Sequence, residues 1–160
     1  MKRRQFDAAL KSACLAAALF LAIGRAGSEP TRNGFDLQGA LIPVEEILQG
    51  GPPRDGIPSI DKPVFVPADG KTDLRPDDTV LAIHHNGIAK AYPIGILNWH
   101  EVVNDRIGAE DIVVTFCPLC GSGVAFEARS GGRALKFGVS GLLYNSDVLL
   151  YDRETQSLWS

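Results

Sequence analysis

Alternation of apolar and polar positions is clearest in Val80-Leu81-Ala82-Ile83-His84-His85 and Ile88-Ala89-Lys90-Ala91-Tyr92, two runs separated only by Asn86-Gly87. Asn-Gly between such runs is the strongest short hairpin signal, because both residues tolerate the positive φ of the turn that matches strand twist. After Pro93 the spacing changes: Ile96, Trp99 and Val103 recur at helical intervals, with Tyr92 one turn earlier and Asn104-Asp105 closing the pattern. A short helix over about residues 94–103 is expected. Residues 112–116 form a continuous apolar, strand-like run that leads into Cys117-Pro118-Leu119-Cys120-Gly121. Beyond it, residues 123–128 and 133–137 surround Ser130-Gly131-Gly132 as a second hairpin. Residues 142–144, 148–151 and 157–159 read as further short strands between polar turns.

The earlier part of the chain is less regular. Residues 28–41 read as an extended, polar lead-in, and residues 44–48 as one or two helical turns after Pro43, stopped by Gly50-Gly51. Pro52, Pro53, Pro58, Pro63 and Pro67 remove backbone donors, so residues 50–78 are expected as surface loop and edge strand. The pattern as a whole predicts a β-rich α+β fold of mostly antiparallel strands and hairpins, with one or two short helices. No repeat or low-complexity tract interrupts it.

The first residues stand apart from this pattern. Met1-Lys2-Arg3-Arg4 is a basic start and residues 13–23 are continuously apolar, with small residues following at 24–28. That is the layout of a signal peptide, and the apolar run is shorter than the ~20 residues that span a bilayer. Arg3-Arg4-Gln5-Phe6 resembles a twin-arginine export signal, although Asp7 stands where that signal carries an apolar residue. The expectation is a signal over residues 1–28 and one exported domain over 29–160, periplasmic and without a stable membrane anchor after cleavage. Removing residues 1–28 takes five of the 16 basic residues and one of the 19 acidic ones, which moves the net charge from −3 to about −7. An acidic domain of this kind lacks the basic footprint that nucleic acid or anionic lipid requires.

Cys14 falls inside the apolar signal run, so the mature chain holds two cysteines, Cys117 and Cys120. A disulfide between them encloses two residues and removes little chain entropy, which makes the pair a poor staple for an exported domain. Pro118 pre-sets one backbone angle and Gly121 accepts positive φ, so the segment is expected as a tight knuckle joining two strands. Three uses of the sulfurs stay open. In dithiol redox chemistry one thiolate attacks and the other resolves, with no cofactor and with an unidentified redox partner or small molecule as substrate. In a metal site the two thiolates hold zinc or copper, with His100 as the best third ligand and a fourth position open. In the third use the pair is static, part of a structural or partner-binding domain. His84 and His85 point to opposite faces of their strand, so at most one of them joins a site, and His85 beside the turn is expected in solvent. Asn145, Ser146, Asp147 and Asp152 match ordinary turn residues better than an acid/base or cation cluster. Tyr144, Tyr151, Trp99 and Trp159 read as core or rim aromatics.

Several phrases recur together: Gly51-Pro52-Pro53 with Asp55-Gly56-Ile57-Pro58 and Ile60-Asp61, Ala91-Tyr92-Pro93, Leu97-Asn98-Trp99-His100-Glu101-Val102-Val103-Asn104-Asp105, Cys117-Pro118-Leu119-Cys120-Gly121, and Phe137-Gly138-Val139-Ser140-Gly141-Leu142-Leu143-Tyr144-Asn145-Ser146-Asp147. As a set, covering about residues 40–160, they resemble the prokaryotic family catalogued as domain of unknown function 3179, some of whose members are labelled selenoproteins. The resemblance carries no established activity. It implies reactive use of Cys117 and Cys120, since selenium in place of sulfur is useful where the atom attacks or is attacked. It also implies a truncated domain, because members generally continue past Ser157-Leu158-Trp159-Ser160.

Overall fold

The computed structural model of the protein describes residues 30–160, so the expected signal segment with its paired arginines and Cys14 lies outside the described residues. Among the described residues no helix is long and apolar enough to cross a membrane. The chain is β-rich and antiparallel, as the alternation predicts. Strands β1 (Thr31–Arg32) and β2 (Phe35–Asp36) form a small hairpin, a 3-10 turn covers Val44–Glu46, and β3 (Leu48–Gln49) follows. The predicted hairpin is β4 (Val80–His85) with β5 (Ile88–Pro93), in full register from Val80 opposite Pro93 to His85 opposite Ile88. Its turn has positive φ at both Asn86 and Gly87. Helix α1 (Ile94–His100) leads to β6 (Val102–Ile107), β7 (Glu110–Cys117) and β8 (Ser122–Glu127), which make a three-stranded sheet in that order. After the short pair β9 (Arg129–Ser130) and β10 (Arg133–Ala134) come β11 (Phe137–Tyr144), β12 (Asp147–Asp152) and β13 (Leu158–Trp159). These last three join β3 in a four-stranded sheet of order β13-β12-β11-β3.

Burial follows the two-residue period of the central strands and sorts their side chains into three cores. On one face of β7, Ile112, Val114 and Phe116 pack with Val103 and Ile107 of β6, Leu97 of α1 and Tyr92 of β5. On its other face Val113 joins Val102, and both meet Phe137, Val139 and Leu150 of the second sheet. The far face of that sheet, through Leu142, Leu149 and Tyr151, is covered by Phe35 and Leu37 of the lead-in and by Ile47 after the 3-10 turn. The result is a layered stack in which two sheets share the middle core. Within β11 the pairing with β12 slips between Val139 and Leu142, leaving Ser140 and Gly141 as extra residues. The Ser140 hydroxyl stitches this bulge by donating to the Leu149 carbonyl at 2.5 Å and accepting from the Leu142 amide at 3.0 Å.

One polar side chain crosses the middle core. Asn104, 7% exposed, donates to the Phe137 carbonyl at 2.8 Å and to Asp61 Oδ1 at 2.9 Å, while its own carbonyl accepts the Phe137 amide at 2.8 Å. Asp61 is held in turn by Arg153 at 2.7 Å, which also donates to Ser59. Burial alone raises the Asp61 carboxyl, but hydrogen bonds from Arg153 and Asn104 bring it below the usual carboxylate range.

Three local expectations are corrected. The helix stops at His100 instead of running to Val103, because Glu101 takes the left-handed conformation at φ 57° and closes the helix with an N–H to the Leu97 carbonyl. Val102 and Val103 then face opposite cores as strand residues, and the supposed helical stripe is open: Ile96 is 48% and Trp99 76% exposed. Strand β8 pairs with β7 across the knuckle, not with residues 133–137, so the Gly131-Gly132 turn closes only the two-residue strands β9 and β10. Residues 50–78 contain no ladder strand; Ile60 makes a single parallel bridge to Val103.

Replacing Asn104 with Ala leaves both the amide and the carbonyl of Phe137 without partners in a buried layer. Each such group costs about 1–3 kcal/mol, so N104A is expected to lower the unfolding free energy by about 3 kcal/mol. A fall of the urea midpoint at unchanged slope measures it. Asn104→Asp sets a carboxylate against Asp61 and the Phe137 carbonyl in the same buried layer, and is expected to cost at least as much as N104A.

Candidate functional site

Cys117 ends β7 and Cys120 sits in the turn that returns the chain to β8, where Ser122 pairs with Cys117. Gly121 has φ 65° and donates its N–H to the Cys117 carbonyl at 2.9 Å, which closes the turn. Glycine takes that φ without the strain a side chain would add. The knuckle has the expected form. Its two sulfurs sit in different surroundings: both are free thiols, but Cys117 is 3% exposed and Cys120 lies at the surface.

A second turn meets this one from the other sheet. Between β11 and β12, Asn145 and Ser146 both adopt positive φ, at 50° and 66°, the two-residue turn that brings Asp147 opposite Tyr144. Asp147 Oδ1 accepts the Val148 amide at 2.8 Å and the Cys120 thiol at 3.4 Å. Ser122 Oγ lies 2.9 Å from the same sulfur. The ligand atoms of Cys117, Cys120 and Asp147 all fall within 4.8 Å of one another.

Each of these three groups becomes an anion when it loses its proton, and among the described residues Asp147 has no ion-pair partner. Burial pushes the Cys117 thiol up to about 11, with side-chain hydrogen bonds to Cys120 and Asp147 adding to the shift. Alternation along β7 also puts Thr115 on the same strand face as Cys117. Its buried hydroxyl has no hydrogen-bond partner.

The other candidates are placed elsewhere. His100 is not part of the gathered set: its Nδ1 lies 2.7 Å from the Pro58 carbonyl, at the end of a helix whose expected inner stripe faces outward. The third side chain beside the sulfurs is therefore Asp147, read from the sequence as a plain turn residue. His84 is exposed. His85 is not simply solvated, because its ring meets Glu110, whose other oxygen takes the Asn86 side chain at 3.2 Å. Asp152 does serve a turn: its fully buried carboxylate accepts the Thr155 amide and hydroxyl and the Trp159 indole N–H.

Fold and site together define a β-rich α+β domain carrying a surface Cys-Pro-Leu-Cys knuckle. The chain belongs to the family described as Protein of unknown function (DUF3179), which matches residues 54–160 and so takes in both turns of the site. Comparison with curated proteins and with solved structures returned no match.

The unequal burial sets an expectation for thiol chemistry. In the folded, reduced protein at neutral pH, iodoacetamide is expected to label Cys120 about tenfold or more faster than Cys117, since the thiolate is the reacting form. The Cys117 rate should go on climbing until the pH reaches about 11. Peptide mapping after timed quenching reads both rates, and equal rates would contradict the asymmetry.

Proposed function

We propose that the protein carries out dithiol/disulfide exchange after export, with Cys120 as attacking sulfur and Cys117 as resolving sulfur. The observation that supports this most is the pairing of one accessible and one buried free thiol in a single turn. An attacking sulfur must reach a partner, whereas a resolving sulfur works better shielded from it. This order is the reverse of the one in which the first cysteine of the motif attacks.

Chemically, Cys120 gives its proton to Asp147 Oδ1, the acceptor 3.4 Å away, and the Ser122 hydroxyl is placed to donate to the thiolate that remains. The thiolate displaces one sulfur of a partner disulfide, forming a mixed disulfide and releasing a partner thiolate that takes up a proton. Cys117 then loses its proton and attacks Cys120 Sγ, which forms the intramolecular disulfide and releases the second partner thiol. Two electrons and two protons pass to the partner. Resolution is the step that high pH favours, because the Cys117 proton is held by burial and by the neighbouring thiol and carboxyl.

Equilibration of the metal-free protein against glutathione buffers tests the proposal. The pair is expected to interconvert at a potential above about −300 mV, the region below which structural disulfides lie. In Cys117→Ser the mixed disulfide on Cys120 should accumulate, while Cys120→Ser should form none. A pair that stays wholly oxidised or wholly reduced across the buffers would remove the exchange reading.

A further inference from the structure

We propose that the reduced knuckle and Asp147 together form a zinc site, with Cys117 Sγ, Cys120 Sγ and an Asp147 carboxylate oxygen as ligands. The proposal needs the pair reduced but not redox-active, so it stands apart from the exchange reading.

The geometry already suits the ion. Zinc bonds of about 2.3 Å to sulfur and 2.0–2.2 Å to oxygen, arranged tetrahedrally, place ligand sulfur and oxygen about 3.6 Å apart and two sulfurs about 3.8 Å apart. Cys120 Sγ and Asp147 Oδ1 are 3.4 Å apart, and the whole set lies within 4.8 Å. Little movement is needed. The knuckle is closed by the Gly121 amide on the Cys117 carbonyl, and the Asp147 carboxylate is held in place by the Val148 amide, which donates to Oδ1.

Charge and donor type point the same way. Three groups that can bind a cation as anions are gathered with no basic side chain paired to the carboxylate, and a bound cation would stabilise all three in their deprotonated forms. Two thiolates with one carboxylate are a mixed soft and hard set, which suits zinc better than copper(I), a soft ion that disfavours a hard carboxylate. Ser122 Oγ, 2.9 Å from Cys120 Sγ, is placed to orient a bound thiolate from outside the ligand set. Three protein ligands leave the fourth zinc position for water or an exchangeable ligand, as in sites that do more than hold a fold.

Binding displaces the thiol protons. Zinc affinity is therefore expected to rise steeply with pH through the neutral range.

The test uses the full chain, reduced and freed of metal, titrated with zinc against a chromophoric chelator and with cobalt(II) as a spectroscopic probe. One ion per chain is expected, with thiolate-to-cobalt charge-transfer bands. Asp147→Asn keeps the turn's acceptor but loses the charge, and should weaken zinc binding by about tenfold or more. Cys120→Ser should abolish the charge-transfer signature of a two-sulfur site. His100→Ala should leave affinity unchanged, and circular dichroism confirms that each variant is folded. Zinc affinity untouched by Asp147→Asn, or lost with His100→Ala, would overturn the three-ligand site. Failure to bind zinc while the pair still cycles against glutathione would sink this proposal alone, and tight zinc binding by a pair that does not cycle would sink only the exchange reading.

Discussion

Everything at the site rests on how two sheets are held against each other, and the buried amide of Asn104 is the directional part of that hold. Apolar packing of Val102 and Val113 against Phe137, Val139 and Leu150 supplies the attraction between the layers, but such packing tolerates sliding. Asn104 satisfies both backbone groups of Phe137 at once, so β6 and β11 meet at one position and no other. The knuckle belongs to the sheet of β6 and Asp147 to the sheet of β11. A slip of one residue, about 3.3 Å, would carry the carboxylate out of reach of the sulfurs. The same amide reaches Asp61 and, through it, Arg153, so the proline-rich loop is pinned to the same point.

What could be read in the sequence was what depends on neighbours along the chain. Asn86-Gly87 announces its hairpin because the turn's backbone demand is met by those two residues alone, and Pro118 with Gly121 announces the knuckle for the same reason. The helix end was misplaced because Val103 satisfies both a period of 3.6 from Ile96 and a strand role beside Val102. Pairing with β7, which lies later in the chain, decides for strand. The partner of β8 is hidden on similar grounds: a glycine-rich turn at 130–132 competes with a two-cysteine knuckle, and the buried β7 offers the larger apolar surface.

Asp147 was set aside for a different cause. Aspartate after Asn-Ser between two apolar runs is ordinary turn chemistry, and it does serve the turn by capping Val148. Its contact with Cys120 spans 27 positions of sequence and has no local signature. His100 drew attention instead because histidine is a common ligand and its helix feeds the knuckle strand, yet its ring turns to the Pro58 carbonyl. Residue type is a weak guide where two separate turns converge, because sheet packing decides which side chain stands beside the sulfurs.

The bulge in β11 has a consequence of parity. Two residues, Ser140 and Gly141, are inserted relative to β12, and an even insertion leaves every later side chain on the face it would have had. Phe137 and Val139 still address the middle layer and Leu142 the outer one. An odd count would reverse that order, sending Leu142 inward and inverting the hairpin tip that bears Asp147. The strand can therefore bend, yet the carboxylate arrives on the side where the thiols stand.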